Sequence, residues 1–286
     1  MAVLVILALL PGQAAAAPVC ALGLPCLLAQ PPSILAAFDG TTCFVQWGGN
    51  VQCVGGSNPP GNYLGGDARS VFLGHVGACA IVTGGNVRCW GTYSAPETAP
   101  DNGGNAAGVA VGGVHSCILR TSGNVDCRGD DSFGQSAAYT GGDAVQVVAG
   151  IRHTCVLTTA GNAACWGDNF WGQSAGYGGG DATGIASEAD TTCVATSGGN
   201  AHCWGHVAAD YLGGDAVSVG ANGGTCLLLV SRNVHCFTLF PGGDYTGGDA
   251  VQVASDFDHA CALTQTGLVR CWSGNSITIP PYATLA

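Results

Sequence analysis

Apolar and polar side chains alternate in short runs along most of this chain, and the runs are grouped. In Ala144–Gln173, AVQVVAGIRHTCVLTTAGNAACWGDNFWGQ, an alternating run (VQVVAG) precedes two further runs that each carry one cysteine, Cys155 and Cys165. Alternation of period two over four to eight residues marks a strand with one face buried. The stretch therefore reads as a strand followed by a β-hairpin. The same cysteine spacing recurs at Cys43/Cys53, Cys79/Cys89, Cys117/Cys127, Cys193/Cys203, Cys226/Cys236 and Cys261/Cys271, with first cysteines 36, 38, 38, 38, 33 and 35 residues apart.

The midpoint of each pair marks a turn. The midpoints are Gly48, Gly84, Ser122, Ala160, Gly198, Ser231 and Thr266, and the residue after each is glycine except at Arg232. A three-residue hairpin loop is typically a type I turn followed by one residue in the left-handed region, which glycine occupies without steric cost. The glycine position and the cysteine spacing thus predict one loop, and Arg232 predicts the most strained or differently built turn in the sixth unit. With that loop the two cysteines of a pair oppose each other at a non-hydrogen-bonded site, close enough for a disulfide. Each bridge closes about ten residues and contributes roughly 2.5–3 kcal/mol on the chain-entropy model. The competing reading, seven thiol pairs holding zinc, lacks the short C-x2-C knuckles that such sites use.

Between hairpins lies a second signature, Tyr-x-Gly-Gly-Asp-Ala, at Tyr63–Ala68, Tyr139–Ala144, Tyr177–Ala182, Tyr211–Ala216 and Tyr245–Ala250; after the second hairpin it reads Asp101-Asn-Gly-Gly-Asn-Ala. Each unit is then an outer turn, a strand, a hairpin and a return segment. Seven such units cannot bury their faces singly but can close radially, so the expected fold is all-β, a seven-bladed β-propeller with one disulfide-bridged hairpin per blade. Tyr282 falls where a further signature would start, and the first unit lacks that segment upstream, so the two ends of the chain are expected to complete one blade together.

Composition agrees. There are 48 glycines, no lysine, and two glutamates (Glu97, Glu188) among 18 acidic residues, a turn-rich and helix-poor balance. The net charge of −11 argues against nucleic acid or an anionic membrane surface as partner. Sixteen cysteines point to an oxidising compartment. Residues 1–16 read as a signal peptide, with the apolar run MAVLVILALL too short to span a bilayer. Residues 17–33 form a Pro-rich leader carrying Cys20 and Cys26, which an even cysteine count allows to bridge each other, and residues 34–286 form the propeller. The protein is expected to be secreted or at the cell surface.

The run AVQVVAGIRHTCVLT, followed by G-N-x-x-C-W-G-D-N and F-W-G-Q, resembles the regulator of chromosome condensation repeat over about residues 32–282, best in blades three, four and seven. The resemblance implies a seven-bladed propeller. The cysteine pairs liken this chain to exported prokaryotic members. The nuclear members act on a small GTPase beside chromatin, and neither the acidic charge nor the leader suits that role.

Most candidate chemistry dissolves into the repeat. The Tyr-x-Gly-Gly-Asp turns could form a rim of aromatics and carboxylates, but repetition at nearly every blade favours a structural use: the aspartate caps its turn and the tyrosine packs between blades. His115, His153 and His259 stand two residues before a first cysteine, and read as core groups rather than metal ligands; His202 and His235 read as structural or exposed. Gly172-Gln-Ser-Ala-Gly176 matches a nucleophile-elbow pattern without the helix that motif needs. No cofactor is implied and catalysis is disfavoured. The features that break the repeat are Phe133, Phe170 and Trp171, large aromatics on turns of adjacent blades, and the unique linker Tyr93–Asn105. Exposed, those aromatics would mark a contact patch; packed on the next blade, they would be structural. The function expected is recognition of a protein or glycan at the cell exterior. Self-association as a surface or matrix component is the alternative, and a hydrolase on a propeller scaffold is a more distant one.

Overall fold

A computed structural model describes residues 35–273, apart from 39, 47, 57–58, 76, 92–99, 222–224, 238–242 and 256–258. The signal-peptide and leader segments, Cys20, Cys26, Tyr282 and most of the linker after the second hairpin lie outside the described residues. The bridge considered between Cys20 and Cys26 therefore lies outside them too.

The hairpin loop sets the geometry of every blade. In blade four, Thr158 N–H donates to the Asn162 carbonyl and Gly161 N–H returns to the Thr158 carbonyl, leaving a three-residue loop. Gly49, Gly85, Gly123, Gly161, Gly199 and Gly267 all take positive φ, between 71° and 80°, and Arg232 takes the same conformation at φ 61°. Blade six therefore keeps the loop and bears the strain of a side chain there. The glycine has a second reason. A Cβ on Gly123 would stand 2.4 Å from the Gly142 carbonyl oxygen, because the Gly-Gly-Asp turn lies against the hairpin and Ala144 N–H donates to the Gly123 carbonyl at 3.1 Å. The same bond recurs from Ala182 to Gly161 and from Ala216 to Gly199, stitching each hairpin to the next blade.

Strand register follows from the loop. Each first cysteine stands directly opposite its partner on the third strand, and all seven pairs are bonded as the spacing requires. The bridges are Cys43–Cys53, Cys79–Cys89, Cys117–Cys127, Cys155–Cys165, Cys193–Cys203, Cys226–Cys236 and Cys261–Cys271, with Cα atoms 4.0–4.1 Å apart. The two ends of a bridge differ in burial. The first cysteine of every pair is fully buried, since the second strand lies between two others in the middle of its blade. The third strand lies further out. Cys53 and Cys203 are buried there, whereas Cys89, Cys127, Cys165, Cys236 and Cys271 are half-buried.

Among the described residues the strands form seven separate antiparallel sheets, one per hairpin. Each sheet begins with an inner strand: Leu35–Phe38, Ala68–Gly74, Ala106–Val111, Ala144–Ala149, Ala182–Glu188, Ala216–Ala221 and Ala250–Ser255. From the second onward each opens with a one-residue bulge, as at Val145 between Ala144 and Gln146. The fourth strand of a blade is rudimentary. The signature tyrosine pairs with the third strand at a single bridge, Ala163 with Tyr177 for example, and among the described residues only in blade five does it extend to a strand, Ala209–Tyr211.

The core lies between blades. Ala110, Leu119, Val125 and Val147 pack across blades three and four, and Leu157, Ile185, Val194 and Trp204 across blades four and five. The ring closes in the same way: Leu35, Ala37 and Phe44 of blade one pack on Ala254 and Leu263 of blade seven, and Gln252 donates to the Leu35 carbonyl. Closure thus rests on inner strands within the described residues. The chain direction puts the cysteine hairpin loops and the Gly-Gly-Asp turns on one face of the ring. The turns from first to second strand share the opposite face with the segments that leave the third strand.

Candidate functional site

The tyrosine signature is a packing device. Tyr63 stacks on Trp90, Tyr139 on Trp166, Tyr177 on Trp204 and Tyr245 on Trp272, ring centroids 5.4–6.3 Å apart, in each case against the next blade. Each tyrosine hydroxyl donates to the aspartate four residues on, as Tyr63 does to Asp67. The aspartate is thus held by its own tyrosine rather than by the turn's N–H groups. The first glycine clears the way: a Cβ on Gly141 would lie 2.4 Å from the Tyr139 hydroxyl. Burial and the acceptor Asp143 push the Tyr139 hydroxyl up to about 12.

One blade boundary uses different chemistry. Asp101 holds the tyrosine position and pairs with Val87 as its counterparts do. Arg128 holds the position of the facing tryptophan, and its guanidinium meets Asp101 at 3.0 Å. Arg120 adds a two-pronged contact, Nη1 and Nη2 at 3.0 and 2.9 Å from the two Asp101 oxygens. The hydrogen bond from Arg120 holds the buried Asp101 carboxyl down to about 2.

The histidines are latches between blades. His115 Nε2 meets Thr154 Oγ1 at 2.7 Å, His153 Nε2 meets Thr192 Oγ1 at 2.9 Å, and His259 Nε2 meets Thr42 Oγ1 at 2.8 Å. Thr154 commits its only hydroxyl hydrogen to the Gln135 carbonyl, and Thr192 to that of Gln173. His115 and His153 must therefore donate through Nε2, which fixes the tautomer and leaves Nδ1 as a bare lone pair. Those Nδ1 atoms are buried without a partner. Burial pushes both imidazoles down to about 4, so they are neutral at pH 7.

The cysteines are likewise structural. Cys89, Cys127, Cys203 and Cys236, on the third strands of blades two, three, five and six, carry no free thiol because each is bonded to its partner on the second strand. The same holds for the other three pairs, so among the described residues no sulfur is available as a nucleophile.

The acceptors Gln135 and Gln173 were not singled out by sequence reasoning. Both are fully buried. The Gln135 side chain caps its own turn by accepting from Phe133 N–H, and Gln173 does the same for Trp171. Their carbonyls also receive the indole N–H of Trp166 and Trp204 from the next blade. Each Gly-Gln turn is therefore the anchor for the following blade, and it lifts the two preceding residues outward. Ser174 Oγ donates to the Asp168 carbonyl within such a turn, with no helix following, so the nucleophile-elbow match has no elbow.

What the turns lift out is aromatic. Phe133 is 46% exposed, Phe170 80% and Trp171 50%. They also touch the next blade: Arg152 lies over the Phe133 ring at 5.0 Å, and Trp171 packs on His206 at 4.7 Å. Phe170 meets Trp171 edge-on at 5.0 Å. The rings are thus both held by neighbours and open to solvent, combining the two alternatives considered from the sequence. Ile151, next to Arg152 in the chain, lines a small cavity together with Phe38, Gly113 and Ala189 of other blades. His202 and His235 sit elsewhere, on the outer rim, paired with Asp210 and Asp244.

Residues 107–135, 144–173 and 250–276 each match the model of the regulator of chromosome condensation (RCC1) repeat. None of the curated proteins matches the chain by sequence. Among solved structures, the Crinkly WD40 ectodomain of the Arabidopsis thaliana receptor kinase ACR4 aligns over 88% of this chain and 97% of its own, with 19% identity and a TM-score of 0.71. The entire ectodomain of the Physcomitrella patens receptor kinase CR4 aligns over 86% and 74%, with 19% identity and a TM-score of 0.65. Prp20p of Saccharomyces cerevisiae, described with its binding to Gsp1p and histones, aligns over 77% of each chain, with 16% identity and a TM-score of 0.60. At these identities the likeness is one of fold.

Proposed function

Three stretches of this chain match the regulator of chromosome condensation repeat, and on that premise we propose that it is an exported, disulfide-stabilised recognition module for a protein or glycan at the cell exterior. The observation that carries the reading is the touching pair Phe170 and Trp171, with Phe133 at the equivalent turn of the preceding blade: large apolar rings left open on one face where the repeat departs from its pattern. Exposed aromatics grouped on a rigid scaffold are the usual core of a binding hot spot. Export is supported by seven bridges that need an oxidising compartment to form. It is supported further by the likeness in fold to receptor ectodomains. A binding role rather than catalysis agrees with how the polar groups are used: the buried histidines, glutamines and tyrosines are all engaged in holding blades together.

The test is a screen of oxidised protein against extracellular protein and glycan arrays, repeated with Phe170→Ala/Trp171→Ala. Saturable binding lost in that variant supports the reading. Saturable binding that survives the double change removes this patch from it.

A further inference from the structure

The aromatic sector is bordered by carboxylates with little to neutralise them. Asp130 and Asp131 precede Phe133, Asp168 precedes Phe170, and Asp190 stands one blade on. Against these four the sector offers one guanidinium, Arg152, already laid over Phe133, and the chain has no lysine at all. The oxygens of Asp130 are taken up by Ser132 and Gln135 within its own turn. Asp168 and Asp190 are different. Asp168 uses Oδ1 to accept from Phe170 N–H, and Asp190 uses Oδ1 to accept from the Gln173 amide. Their second oxygens carry no hydrogen bond among the described residues. Burial and the charge of Asp168 raise the Asp190 carboxyl above its ordinary value, while His206 and Arg152 only partly offset them. The two carboxylates are near enough to repel, and both flank the turn that carries Phe170 and Trp171.

We propose that this sector binds a cationic, apolar segment of a partner protein, an arginine or lysine meeting the free oxygens of Asp168 and Asp190 while its apolar neighbours cover Phe170 and Trp171. The inference rests on the recognition reading above and gives it a ligand class. Charge complementarity decides between the two classes left open there. A neutral sugar could stack on Trp171 and hydrogen-bond to either carboxylate, but it would leave their mutual repulsion in place. A guanidinium or ammonium group relieves it and adds cation–π attraction to the half-exposed Trp171 indole.

The experiment uses the intact oxidised protein and isothermal calorimetry with three probes: an amidated peptide alternating arginine and leucine, its glutamate–leucine counterpart, and a neutral β-linked oligosaccharide. The variants are Asp168→Asn/Asp190→Asn, which keeps both internal hydrogen bonds, and Phe170→Ala/Trp171→Ala. Thermal melts confirm that each folds. The arginine peptide is expected to bind and the glutamate peptide not. Its affinity should fall at least tenfold between roughly 50 and roughly 500 mM salt, and at least tenfold in the asparagine variant. Equal binding by the asparagine variant, preference for the oligosaccharide, or failure of the arginine peptide to bind overturns the proposal. If any ligand is lost only with the aromatic double change, the recognition patch stands while the cationic class falls. If the arginine peptide binds regardless of Phe170 and Trp171, both fall.

Discussion

Acidifying this protein from about pH 7 to about pH 4.5 should cost it much of its stability, through two side chains. His115 and His153 are buried, neutral and committed through Nε2 to the threonine of the next blade. Burial holds both at about 4 in the folded protein. An exposed histidine in the unfolded chain titrates near 6.5. Between those values the unfolded chain binds more protons than the folded one, so stability falls as pH falls. The contribution is fully present above about 6.5 and lost on descent to about 4. A difference of about 2.5 units corresponds to about 3 kcal/mol per histidine at the limit. Local opening that wets one blade boundary reduces this, so a loss of about 2–5 kcal/mol for the pair is expected, against a typical total of about 5–15. The assay is guanidinium unfolding with the disulfides intact, followed by tryptophan fluorescence. Trp166 and Trp204 report on these boundaries, since each indole is bonded to the turn carbonyl of the preceding blade. His153→Gln should halve the pH slope, and the double variant with His115→Gln should flatten it. A wild-type stability that stays level between about pH 7 and about pH 4.5 would refute the reasoning, as would a double variant that still falls as steeply.

Other outcomes follow from single positions. Arg232→Gly should raise stability by about 0.5–1 kcal/mol, because strain at a positive φ is relieved against a smaller gain in unfolded-chain freedom; Gly161→Ala should do the reverse and more, its Cβ falling 2.7 Å from Gly180. Both are read by denaturant melts. Asp101→Asn should cost about 1–2 kcal/mol near neutral pH after allowing for solvent screening, an effect that fades as pH falls from about 4 to about 2, where the native carboxylate itself is protonated. Replacing the cluster with the repeat's own chemistry, Asp101→Tyr with Arg120→Thr and Arg128→Trp, should recover that loss. At the alkaline end, Tyr139 and Tyr245, pushed up to about 12 chiefly by burial, and Tyr177, pushed up to about 12 chiefly by its bond to Asp181, remain protonated where unfolded tyrosines ionise. Their contribution is present below about pH 10 and lost on ascent to about 12, which absorbance at the phenolate band and a parallel melt will follow.

Much of this was legible because the repeat is local. Loop length, left-handed glycine and cysteine register all follow from residues within one hairpin, and Cys155 and Cys165 stand opposed as the count requires. Even the divergent sixth unit keeps that register, Cys236 facing Cys226 across the loop that Arg232 strains. What the period hides is contact across blades. His115 and its partner Thr154 occupy different repeat positions in different units, so their pairing emerges only when the ring closes. The Asp101–Arg128 pair could have been found: the missing tyrosine at one boundary coincides with the missing tryptophan that would face it. Gln135 and Gln173 escaped because the eye goes to Phe133 and Trp171, whereas the polar neighbour is the buried one. The bulges opening the inner strands, at Val145 and its equivalents, leave no sequence mark beyond an unbroken alternation.

The account turns on each blade carrying its own oxidised bridge, closed within one hairpin and formed at the cell exterior. Non-reducing peptide mapping of protein recovered outside the producing cell tests this most directly. It should yield seven bridges in register, Cys43–Cys53, Cys79–Cys89, Cys117–Cys127, Cys155–Cys165, Cys193–Cys203, Cys226–Cys236 and Cys261–Cys271, with no crossing between blades. Free thiols within those pairs, or cysteines joined between blades, would contradict it.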